Sequence, residues 1–115
     1  MARKHVLSTK MFDEEVVSSN ANSKVINVGQ TDLAAIDLAW SASTLVATVT
    51  LEARTEKNGV WRAVDIGGTP SISGSSGDHQ IVLNEMPFLE LRLAVAFTSG
   101  SGTLDASITT KSKGA

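Results

Sequence analysis

Apolar and polar residues alternate along most of this chain, most clearly over residues 88–111, FLELRLAVAFTSGSGTLDASITTK. Leu89, Leu91, Leu93, Val95 and Phe97 fall on one side of a period-two ribbon, opposite Glu90 and Arg92 and then Ala94 and Ala96. After a small polar turn, Leu104, Ala106 and Ile108 share a face opposite Thr103, Asp105, Ser107 and Thr109. Side chains on a strand repeat every second residue, so this pattern predicts two half-buried strands joined as a hairpin. Wound as a helix, the same apolar residues would scatter around the circumference.

The rhythm recurs upstream. Residues 25–28 form a short strand ended by Gly29, and residues 33–40 place Ile36, Leu38 and Trp40 opposite Asp37. Residues 46–54 set Ala47, Val49, Leu51 and Ala53 against Thr48, Thr50, Glu52 and Arg54. Glu56-Lys57-Asn58-Gly59 predicts a hairpin turn, because Asn-Gly accommodates positive φ. The chain returns as a strand over residues 60–66, with Trp61 and Ala63 on one face. The Gly/Ser-rich stretch 67–78 (GGTPSISGSSGD) predicts a surface loop, and residues 80–84 a short strand pairing Ile81 with Leu83 on one face. About eight short strands, with no amphipathic helix, predict an all-β fold: an antiparallel β-sandwich or jelly roll, with a partly closed barrel as the alternative because periodicity does not give strand order. The expected organisation is an N-terminal arm (1–23), a β-sandwich domain (24–111) and a flexible tail (112–115).

The arm is the least regular part, with a basic start, residues 5–10 readable as a short strand, acidic Asp13, Glu14 and Glu15, and a polar turn at 18–23. Its apolar residues Val6, Leu7, Met11, Phe12, Val16 and Val17 need burial, and are expected to contact a neighbouring subunit.

At 115 residues the chain suits one domain around one modest core. Cysteine is absent, which excludes a disulfide framework, a thiol nucleophile and Cys-based zinc sites. No apolar run reaches the roughly 18–20 residues of a spanning helix, and the basic N-terminus lacks the apolar block of a secretory signal. The expectation is synthesis in a cytoplasm and no membrane partner. With a formal charge of −2, dispersed basic residues, no Tyr, two Trp and three Phe, the chain lacks the basic, aromatic face of a nucleic-acid binder.

Candidate chemistry is sparse. His5 and His79 are isolated in the sequence and make a poor metal set. The glycines at 67, 68, 74 and 77 are not followed by the Gly-Lys-Ser/Thr of a phosphate loop, and no nucleophile elbow is present. Glu52, Asp37 and Glu90 sit opposite aliphatic rows and should face solvent, with Glu90 and Arg92 forming a surface charge pair. Trp40 is in phase with Ile36 and Leu38 and belongs in the core. Trp61, after a hairpin turn, reads first as core and Asp78-His79, ending the Gly/Ser stretch, as a solvated turn; the alternative is that they form a candidate ligand loop, since sugar sites want exposed aromatics beside polar groups. No catalytic residue, cofactor or metal is expected, and the chain is not expected to be an enzyme.

Three segments carry a resemblance: residues 51–61 (LEARTEKNGVW), 87–93 (PFLELRL) and 98–106 (TSGSGTLDA). Together they resemble a group of small β-sandwich virion proteins of tailed bacteriophages. In that group a strand ends in a Ser-Asn-Asp-Gly-like turn followed by Trp. Later a Phe/Tyr-x-x-x-Arg strand leads through a Ser-Gly-Ser-Gly turn into Thr-Leu-x-Ala. The match covers roughly residues 33–111 and departs at the first turn, where Arg54-Thr55-Glu56 replaces Ser-Asn-Asp. The resemblance implies a non-enzymatic structural protein of a phage particle, located in the virion and made in the host bacterial cytoplasm. Size and composition fit a capsid decoration protein: a homo-oligomer that contacts other virion proteins, the major capsid protein first among them. A tail- or fibre-associated module recognising a host-surface glycan or receptor is the alternative. No catalytic or ligand residue carries over.

Overall fold

The computed structural model describes residues 6–29, 31–66, 70–84 and 88–111. The strands are β1 (Val6–Val17), β2 (Ala21–Asn22), β3 (Ile26–Asn27), β4 (Leu33–Ser41), β5 (Val46–Arg54), β6 (Arg62–Ala63), β7 (Ser71–Ile72), β8 (Gly77–Leu83), β9 (Glu90–Ser99) and β10 (Gly102–Lys111). They form two antiparallel sheets. One has the order β1-β10-β4-β8; in the other, β9 pairs β2 and β3 as well as β5, which also pairs β6 and β7. β2 and β3 meet successive parts of β9, at Val95 and Leu91, and so fill one strand position. β6 and β7 likewise divide the length of β5. Among the described residues ten strands thus occupy eight positions, and successive positions alternate between sheets except at the β5–β6 hairpin. This is a jelly roll.

The predicted inward rows meet in the core between the sheets. Ile36, Leu38, Val49, Leu51, Leu91, Leu93, Leu104 and Ile108 are all at most 1% exposed. Each such side chain contributes about 1.5–3 kcal/mol by leaving water, which sets the register of every strand that carries one. Trp40 joins them as predicted, with its indole Nε1 donating to the Ser73 carbonyl at 3.0 Å.

The hairpin predicted over residues 88–111 is corrected. β9 and β10 lie in different sheets, and the chain between them arches across the sandwich. Gly100 makes the arch possible: its φ is +79°, and a Cβ there would stand 2.1 Å from the Thr44 carbonyl oxygen. Thr44, in the neighbouring β4–β5 crossing, donates its amide to the Ser101 carbonyl at 2.8 Å, so the two arches are tied together. Alternation reports that each strand has one buried face. It does not report which strand lies beside it.

The arm is corrected in part: the short strand read at its start belongs to a longer one. Residues 6–17 form β1, which pairs with β10 from Val6↔Lys111 to Val17↔Gly102, with register irregularities between Lys10 and Phe12 and between Phe12 and Glu15. Those irregularities, with Glu14 at φ 46°, hide the period of two from a reading of the sequence. Part of the Gly/Ser stretch is strand as well, since β7 and the start of β8 fall within it. By contrast, the strand predicted over 60–66 shrinks to Arg62–Ala63. The Asn58-Gly59 turn stands as predicted, with Asn58 at φ 64°. His5, Gly67, Gly68, Pro87 and the tail 112–115 lie outside the described residues.

Candidate functional site

The outer face of the six-stranded sheet carries two cross-strand ion pairs side by side. β5 offers Glu52 and Arg54 in that order, and β9 offers Glu90 and Arg92. Antiparallel pairing reverses one order against the other, so Glu52 stands opposite Arg92 and Arg54 opposite Glu90. Both pairs close: Arg54 Nε donates to Glu90 Oε1 at 2.6 Å, and Arg92 Nε to Glu52 Oε1 at 2.8 Å. Glu90 and Arg92 therefore do not pair with each other as the sequence suggested. Each finds its partner on β5.

Trp61 lies over this quartet. The guanidinium carbons of Arg54 and Arg92 are 4.4 and 4.3 Å from its ring centroid, within cation–π range. The ring is half-buried, and the four charged side chains keep only 15–22% of their surface. Chemically, the patch neutralises itself, and the indole holds the β5–β6 turn against the sheet. Beside it a groove of about 280 Å³ runs between β5 and the 60–65 segment, its walls including Val60, Arg62 and Phe88.

Asp78 and His79 are not brought to Trp61. They belong to β8, in the other sheet, where they pair with Ala39 and Leu38 and are exposed. The candidate ligand loop is thus divided between two sheets. Among the described residues no cluster of three His, Cys, Asp or Glu side chains could hold a metal.

The residues expected to contact a partner also divide. Met11, Phe12 and Val17 are 4%, 1% and 3% exposed, because they fill this chain's own core. They offer no surface to a neighbour. Val16 points the other way and is 70% exposed. The backbone of Val6 and Leu7 pairs with Lys111 and Thr110, while their side chains lie outside the described residues. On the outer face of the four-stranded sheet, Lys10 bonds both carboxylate oxygens of Asp105 at 2.7 Å, tying β1 to β10. That hydrogen bond raises the Lys10 pKa above 10.5 and lowers that of Asp105 below 3.8.

Sequence reasoning missed the quartet, although the reversed order of Glu-x-Arg on β5 and β9 is a legible sign once those strands are known to pair. It also missed that β8 forms an edge, which no local pattern records.

No protein-family model matches the chain, and no curated protein matches it in sequence. Among solved structures, the SPBc2 prophage-derived protein YomS matches with a TM-score of 0.65 at 16% identity, over 95% of this chain and 96% of its own. A chain of infectious bursal disease virus, Gx strain, matches at 0.61 and 15% identity; it covers 99% of this chain, which spans 33% of the viral one. The CBM22-1 xylan-binding domain of Paenibacillus barcinonensis Xyn10C matches at 0.52 and 12% identity, over 94% and 87% of the two chains. At such identities the likeness is one of fold, and function has to be argued separately.

Proposed function

We propose that this chain is a non-enzymatic structural protein of a phage particle, and specifically a capsid decoration protein. It acts through protein–protein contacts with the major capsid protein and with further copies of itself. The observation that carries the reading is the correspondence with a prophage-derived protein over nearly the whole of both chains. The turn motifs at residues 51–61 and 98–106 point to the same class. The surface is consistent with that role: the outer-face charges of the six-stranded sheet are spent on one another, which leaves sheet edges and isolated apolar residues such as Val16 and Val60 for contact. Interface strength would then come from apolar burial, at about 25 cal/mol per Å² before the cost of ordering.

The test is the protein composition of purified particles from the phage or prophage that carries the gene. The expected result is this chain in the head fraction, in a fixed ratio to the major capsid protein. Recovery only from the soluble lysate would end the proposal.

A second reading, a glycan- or receptor-binding module of the tail or fibre, draws on the partly open Trp61 and on the fold shared with a xylan-binding domain. A stacking platform needs a free ring face, and Arg54 and Arg92 already lie against this ring. Glycan binding that disappears in Trp61→Ala while the fold persists would favour this reading over the first.

A further inference from the structure

Each sheet of an open sandwich has two edges, and unpaired edges invite another strand. Three of the four edges here are obstructed. β1 is broken by two register irregularities and carries Asp13, Glu14 and Glu15. The β2/β3 edge and the β6/β7 edge are each reduced to separate two-residue pieces. β8 differs. Its seven residues keep an unbroken register against β4, from Leu83↔Ala34 to Gly77↔Trp40, and include no Lys, Arg or Pro. The peptide groups it turns away from β4 have no hydrogen-bond partner among the described residues. On its outer row Val82 is 58% exposed, beside a groove of about 260 Å³ walled by Leu33, Ala35 and Thr109.

The geometry points to β8 as a self-association edge that pairs antiparallel with β8 of a second copy about a two-fold axis. This sharpens the homo-oligomer part of the proposed role and stands independently of where the particle carries the protein. The strand is self-complementary in the one register that uses all seven residues, which sets Gln80 opposite Gln80 of the second copy. That register keeps Ile81 and Leu83 on the core side in both copies. It places Asp78 opposite Val82 of the second copy, so the two Asp78 carboxylates do not face each other. It also sets two amides on the axis, each able to donate and accept. On the outer face Gln80 Nε2 donates one hydrogen to Asp37 Oδ1 on β4 at 3.1 Å, which leaves its second N–H and its Oε1 for the axis. The two four-stranded sheets then become one of eight strands, within the range of natural sheets.

Sedimentation equilibrium on the purified full chain, from micromolar to near-millimolar concentration, tests the inference. The wild type is expected to reach twice the 12.0 kDa chain mass. Gln80→Lys and Gln80→Glu, exposed substitutions that leave the core untouched, should each be monomeric, because like charges meet on the axis. Their equimolar mixture should recover the doubled mass. Val16→Lys, on the obstructed β1 edge, should dimerise like the wild type, with circular dichroism confirming the fold of every variant. A wild type that stays monomeric overturns the inference. So does a dimer that survives Gln80→Lys or dissociates on Val16→Lys instead. None of these outcomes alters the particle-composition test, so the two proposals fail separately.

Discussion

Trp61 is the residue whose surroundings most change its meaning. In the sequence it is an aromatic after a turn; in the fold it is the cover of a four-charge lattice. Replacing it with Ala should lower stability by about 1–2 kcal/mol, the sum of two partly desolvated cation–π contacts and some lost packing. Chemical denaturation checks this, and Arg92→Ala in the Trp61→Ala background should then cost less than it does alone. Gly100 has a sharper constraint. Gly100→Ala should destabilise by more than about 2 kcal/mol, because the positive φ is strained for Ala and the new methyl meets the Thr44 carbonyl. Thermal melts would show it.

The Lys10–Asp105 pair predicts a pH response at the same scale. Asp105 has a lowered pKa, so its contribution is present above the unfolded value of 3.8 and is lost as pH falls through the folded one. Lys10 has a raised pKa, so its contribution is present below 10.5 and is lost as pH rises through the folded value. An NMR titration of the Asp105 carboxyl should give a midpoint below 3.8 that moves back toward it in Lys10→Ala. An unchanged midpoint would mean that the pair is not formed in solution. Both side chains are largely exposed, so the strap is a weak one.

At the scale of elements, strand faces were legible and strand neighbours were not. The inward rows of β4, β5, β9 and β10 follow directly from alternation, because burial acts on each strand separately. The pairing of β9 with β5, rather than with β10, depends on the arches at residues 41–45 and 99–102. Those arches look in sequence like ordinary polar turns. β1 is only partly legible, for the opposite reason: its irregularities shift the phase, so Met11 and Phe12 are adjacent in sequence yet both buried. Phe12→Ala should therefore cost about 3–5 kcal/mol, as a core truncation does, whereas Val16→Ala should stay within about 0.5 kcal/mol. Equal, small effects at the two positions would restore the picture of a loose arm. The candidate site was legible only in its members. Trp61 stands out in the sequence, but its arginine and glutamate partners come from two strands whose pairing the sequence does not declare.

For the whole molecule, the jelly roll accounts for the economy of this surface. Among the described residues eight strand positions close one core and leave four edges, of which three are obstructed and one, β8, is continuous. A particle component needs surfaces that meet other proteins in fixed geometry, and a sheet edge supplies direction and register together. The proposed role places the chain on the outside of a phage head. Cryo-electron microscopy of particles made with and without the gene tests that most directly. Difference density is expected on the head surface, at lattice-related positions, into which the two-sheet sandwich fits. Identical maps of the head, or density confined to the tail, would contradict it.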